Sequence, residues 1–229
     1  MKKLLSIAVF AIFSASSAMS ASLGDLNISL GISGNHGAFA GEGTERNNDE
    51  SGSVKSTTTE YGAFTDSFGS IFVELGNDVI SIGVDYVPSA IETPENKSRE
   101  GNSTKNDGRD PGVSKVQVDF DDLTTYYVKL NIPLGGLYLK AGFHETDVVI
   151  NESMDSGNSY ADTSTDGYTA GLGYAHEVDG GMSIRAELVA MSFEDVTTNN
   201  GVAASGNRNV INVDSMWGAR GTISLVKSF

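Results

Sequence analysis

Eight stretches of this chain alternate apolar and polar side chains at every second residue, and the connections between them alternate strictly in length. The stretches are 26–33, 69–75, 80–86, 125–132, 137–144, 168–174, 183–190 and 217–229, with the fourth extended upstream through Val116, Gln117 and Val118. Period-two alternation marks strands with one face in an apolar medium and the other in a polar one. Between them lie long polar segments, 41–59, 89–114, 151–166 and 195–209. Short turns, 76–78, 133–136 and 177–181, fall at every other connection and carry Gly, Asn or Asp, which tolerate a positive φ. A soluble sandwich has no reason to sort its loops by parity. An up-and-down barrel in a membrane does, because one rim faces the side from which the chain is delivered and the other faces outward. The fold expected is all-β: an eight-stranded antiparallel up-and-down transmembrane β-barrel.

The last stretch carries a further signal. Trp217, Ala219, Gly221, Ile223 and Leu225 share one face, Gly218, Arg220, Thr222, Ser224 and Val226 the other, and the chain stops on Phe229. With the loop pattern, this layout resembles the small eight-stranded bacterial outer-membrane barrels of the OmpA and opacity types, over the whole of 21–229. The resemblance implies a terminal aromatic, Phe229, read by the barrel-assembly machinery, and residence in the cell outer membrane. The third residue from the end, usually aromatic or apolar in that family, is Lys227 here.

Residues 1–20 read as a signal peptide: Lys2 and Lys3, an apolar centre over 4–13, then small residues. Cleavage is expected after Ser20, with Ala18 and Ala21 as alternatives. The apolar run is shorter than the roughly 20 residues a spanning helix needs, and 21–229 is assigned to the barrel. There are no cysteines, so stability must come from closure, burial and lipid rather than disulfides. Without Lys2 and Lys3, 13 bases stand against 30 acids, a balance of −17. Such a chain is not drawn to nucleic acid, whose phosphates require a basic surface.

The polar parity defines the expected lumen. It holds Glu74, Asp85, Lys129, Lys140, Arg185, Glu187 and Arg220, three acids and four bases. Buried charge is tolerated only when paired, so a salt-bridge network is expected, with Phe72, Tyr127 and Tyr138 filling the same space. Two readings follow, a narrow ion path or a closed polar core. Eight strands leave little bore, which favours the closed core. Tyr86, Tyr126, Phe143, Tyr168, Tyr174 and Trp217 fall on the lipid parity, as interfacial girdles do.

The other acids crowd the loops, where divalent cations could bridge them to lipid phosphates, although no loop has a calcium-binding spacing. Catalysis would need a His beside a nucleophile or acid. His144 and Glu145 are adjacent in sequence and so point to opposite faces; His36 lies toward the loop end and His176 near a turn. No cofactor motif is present and no enzymatic site is expected. The functional expectation is a monomeric outer-membrane barrel with a structural or porin-like role. The alternative is a surface adhesin or ligand-binding module acting through the four external loops.

Overall fold

The computed structural model describes residues 26–49, 51–99, 113–153, 159–201 and 208–229. The expected signal peptide lies outside them. Among the described residues there are eleven strands: β1 (Asn27–Asn48), β2 (Val54–Gly76), β3 (Ile80–Tyr86), β4 (Ile91–Glu92), β5 (Asn96–Arg99), β6 (Val113–Asn131), β7 (Leu137–Ser153), β8 (Thr163–Val178), β9 (Met182–Phe193), β10 (Val196–Asn199) and β11 (Arg208–Ser228). Eight of them form a ring in the order β1-β2-β3-β6-β7-β8-β9-β11, and β11 pairs back onto β1. All pairings are antiparallel. The seam runs from Ser29 opposite Ser228 to Asn48 opposite Arg208, and the Phe229 N–H donates to the Ile28 carbonyl at 2.9 Å. Pairing of β11 onto β1 satisfies the backbone groups along that seam without solvent.

The faces sort by polarity. Leu188 is 72% exposed and Ile32 62% exposed, and Ile82, Leu139, Leu172, Ile184, Ile223 and Leu225 also point outward into no protein. Tyr126, Tyr168, Tyr174 and Trp217 are exposed on the same outer face. A continuous exposed belt of this kind is unfavourable in water and favourable in hydrocarbon. Inside, by contrast, lie charged, hydroxyl and aromatic side chains. Among the described residues no helix is long and apolar enough to cross a membrane.

The long connections differ from expectation. Segment 41–59 is not a loop: β1 runs to Asn48 and β2 starts at Val54, the two pair along their length, and at the tip the Asp49 N–H donates to the Ser53 carbonyl at 2.9 Å. Segment 89–114 returns as β4 and β5 on β6, and 195–209 contains β10, paired with β11. Along 41–48 and 54–63 the alternation signal fails because neither face of the ribbon is buried; β4 and β10 bury Ile91, Val196 and Thr198 but, at two and four residues, are too short to show a period. Thr57, Thr58 and Thr59 form strand through β-branching and cross-strand pairing alone.

Two bulges redirect side chains. On β6, the two residues Asp122 and Leu123 oppose a single position on β7, and Asp122 takes φ 55°. On β11, Ser215 with φ 52° stands in the two-residue shift that faces Gly41 of β1. An inserted residue reverses parity beyond it. Phe120 therefore points into the bore, although counting back from Tyr126 by twos places it on the lipid side.

Candidate functional site

The interior near the turn end is a polar layer built from paired charges. Glu74 on β2 receives Lys129 Nζ of β6 at 2.6 Å on Oε2 and Arg185 Nη1 of β9 at 2.7 Å on Oε1. The Tyr127 hydroxyl adds a third hydrogen bond to Oε1 at 2.9 Å. Glu187 takes Lys140 Nζ at 3.1 Å and the Tyr138 hydroxyl at 2.7 Å. Lys140 also stands 4.0 Å from the Tyr127 ring centroid, a cation–π contact. Asp85 meets Arg220 at 3.4 Å and accepts from Ser70 Oγ at 2.9 Å. From Ser70 a polar chain continues: Asn35 Nδ2 donates to Ser70 Oγ at 3.2 Å, and Thr222 Oγ1 donates to Asn35 Oδ1 at 2.7 Å. All seven charged side chains are buried. Buried charges without counter-charges and hydrogen bonds would cost several kcal/mol each, on the order of the penalties known for real proteins.

Three aromatics of this layer lie on glycines. Phe72, Tyr127 and Tyr138 sit directly opposite Gly31, Gly83 and Gly173 on neighbouring strands. A Cβ on Gly31 would lie 2.1 Å from Phe72 Cζ, and one on Gly173 would lie 2.2 Å from Tyr138 Cζ. The missing side chain lets each ring lie flat along the wall, so a small barrel can hold large rings and charged pairs together.

Toward the loop end the interior turns apolar. Phe39 and Phe64 stack at 5.2 Å, Phe64 and Phe120 at 6.2 Å, Phe120 and Phe193 lie at 6.2 Å, and Phe193 returns to Phe39 at 6.4 Å. These rings come from β1, β2, β6 and β9 and form a closed circuit across the bore. Val87, Ile91, Leu123, Val189 and Met191 pack around them. The expected lumen list held none of these residues. Extending the first, second and seventh alternations would have placed Phe39, Phe64 and Phe193 inside, but the β6 bulge hides Phe120 from any such count.

The histidines are dispersed. His144 is fully buried with its ring 4.6 Å from Phe193, and neither ring nitrogen has a hydrogen-bond partner. Glu145 points outward and accepts from the Tyr126 hydroxyl at 3.3 Å. His36 lies on the outer face with Nδ1 2.8 Å from Ser67 Oγ, and His176 is exposed near the 177–181 turn. Among the described residues no three His, Cys, Asp or Glu side chains gather as a metal site would require.

At the closing end, Lys227 Nζ donates to the Gly180 carbonyl at 2.5 Å and stands 5.4 Å from the Phe229 ring. The lysine at this atypical position thus snorkels to the turn rim while its stem stays on the outer wall.

No protein-family model matches this chain, and no curated protein matches it. Among solved structures it is similar to the outer membrane protein OprG from Pseudomonas aeruginosa, at 11% identity and a TM-score of 0.57, covering 88% of this chain and 95% of that one. AlkL in lipid bilayers also matches, at 11% identity and TM-score 0.48, covering 88% and 90%. Ail of Yersinia pestis matches at 11% and 0.38, covering 86% and 99%. With the closed eight-strand ring, the likeness to OprG gives this chain the fold of the small bacterial outer-membrane β-barrels, with no particular tie to the OmpA type.

Proposed function

We propose that this protein is an integral outer-membrane barrel whose interior is a closed structural core rather than an open pore. The observation that carries this reading is the double closure of the bore. Paired charges of Glu74, Asp85, Lys129, Lys140, Arg185, Glu187 and Arg220 cross it near the turn end, and four phenylalanines meet across it nearer the loops. In this reading the protein is a monomer held by outer-membrane lipid, its terminal Phe229 serves the assembly machinery, and no nucleic acid is bound. Divalent cations act only as a diffuse atmosphere around the acidic rim, and no catalytic role is assigned to His36, His144 or His176.

A second reading, surface binding, is supported by the long hairpin β1–β2, which continues well past the apolar belt. The test has two arms. The protein should be recovered with outer membranes and migrate in gels as a heat-modifiable species; recovery in a soluble fraction defeats the membrane assignment. In planar bilayers the wild-type chain should give no discrete conductance. Steady channels from the unaltered protein, lost on Lys129→Ala or Arg185→Ala, would restore the porin-like role.

A further inference from the structure

His144 is a titratable group of the bore that the charge pairing leaves out. It is 0% exposed, and paired strands enclose it on both sides, with Thr125 of β6 and Gly167 of β8 directly opposite. The ring lies over Gly167 as the larger rings lie over their glycines: a Cβ there would stand 2.9 Å from Nε2. Two neighbours place it at the boundary between the two closures of the bore. Phe193 of the phenylalanine circuit packs on its ring at 4.6 Å between centroids, and Phe193 in turn meets Phe39 and Phe120. Arg220 of the polar layer lies close enough to act on it electrostatically.

The surroundings offer no counter-charge to a cation at this point. Thr125, Gly167 and Phe193 are uncharged. Arg220 of β11 is itself a cation, and it already engages Asp85 of β3, which stands opposite Thr125, at 3.4 Å. Asp166 of β8 also acts on His144 but lies opposite Glu145 on the outer wall, across the sheet. Hydrogen bonding runs out at the same level. Among the described residues both ring nitrogens of His144, Thr125 Oγ1 and Arg220 Nε are buried and unmet. The polar layer itself holds four bases against three acids. A neutral imidazole fits this boundary at the cost of its unmade hydrogen bonds. An imidazolium there is a buried cation beside a guanidinium, which a low-dielectric interior penalises heavily.

We propose that His144 is an acid-sensitive latch on the phenylalanine closure: protonation expels its ring from the boundary, displaces Phe193 and opens the loop-side part of the bore down to the polar layer. Arg220 blocks the way toward the turns, so the charged ring leaves past Phe193 toward the loops. The proton acts as a ligand of the open state, where the imidazolium meets water, and shifts the population toward it. An ionisable side chain held within a membrane span in this way is a functional group rather than a packing choice. The proposal rests on the closed-core reading above, which describes the form with a neutral His144.

The chain has no cysteine, so one introduced thiol reports access. Val189 faces the bore on β9, nearer the turns than Phe193, and is 3% exposed. The full chain carrying Val189→Cys, in phosphatidylcholine nanodiscs, is treated with a small methanethiosulfonate reagent at about pH 7.5 and about pH 5, both above the range in which ordinary carboxylates lose their charge. Thr58→Cys on the exposed ribbon, treated in parallel, corrects for the dependence of the reaction on thiolate. Relative to that control, labelling of Val189→Cys is expected to rise at least about tenfold on acidification. The rise should vanish on adding His144→Phe, which fills the space, and on adding His144→Gln, which stays polar without titrating; heat-modifiable migration shows which variants have folded. No rise in acid, or an undiminished rise in a folded His144 variant, overturns the latch and leaves the closed core standing. Rapid labelling of Val189→Cys already at the higher pH defeats the closed-core reading, and the latch with it.

Discussion

Arg185 and Glu74, 111 residues apart in sequence, meet across the bore at 2.7 Å, and Lys129 holds the other oxygen of the same carboxylate at 2.6 Å. One acid thus ties three strands of the ring that are not all neighbours. Glu74→Ala leaves two buried cations without their partner. It is expected to cost about 3–5 kcal/mol, the usual penalty for breaking a buried pair from one side. Replacing all three residues together with apolar side chains of similar volume should cost much less. Urea unfolding in lipid vesicles separates the two outcomes; a single-variant loss below about 1 kcal/mol would mean that Glu74 is not the keystone of this layer.

Tyr138 has two tasks, one polar and one steric. Its hydroxyl donates to Glu187 at 2.7 Å, and its ring covers Gly173. Tyr138→Phe should lose about 1.5–3 kcal/mol, as for hydrogen bonds to charged groups. Gly173→Ala should lose about 1–3 kcal/mol by overpacking. In the double variant Gly173→Ala, Tyr138→Leu, the alanine penalty should shrink, because the clashing ring is gone. Additive losses in that cycle would count against ring-on-glycine stacking.

On the outer wall, position decides the cost of charge. Leu188→Arg, in the middle of the exposed apolar belt, should destabilise by about 2–4 kcal/mol in a bilayer. Thr58→Arg on the projecting ribbon should change stability by less than about 0.5 kcal/mol. Equal effects at the two sites would show that lipid does not cover the belt.

The hairpin tip supplies a pH prediction. The Ser51 hydroxyl, then the Ser53 and Ser51 backbone N–H groups, hold the Asp49 carboxyl below the usual carboxylate range. A depressed value in the folded state stabilises the turn above the unfolded pKa, and the contribution disappears as pH falls through the folded value. The Asp49 resonance should therefore titrate below that of a free aspartate, and local exchange at 49–53 should rise on acidification. In Asp49→Asn that acid dependence should be absent. Titration at the ordinary aspartate value would rule out this turn contact.

Period-two arithmetic determines which residues share a wall face, and with the loop parity it determines the closed antiparallel ring. It also separates the apolar belt from the charged interior, since both follow from local alternation. Which acid meets which base does not follow. Glu74 takes both Lys129 and Arg185 while Glu187 takes Lys140, because pairing depends on register and on reach across a bore that no local pattern encodes. The same holds for Phe120, turned inward by the bulge at Asp122, for the paired ribbon 41–48 and 54–63, which forms with no buried face to leave a trace in the sequence, and for β10, whose buried Val196 and Thr198 span too few residues to show a period.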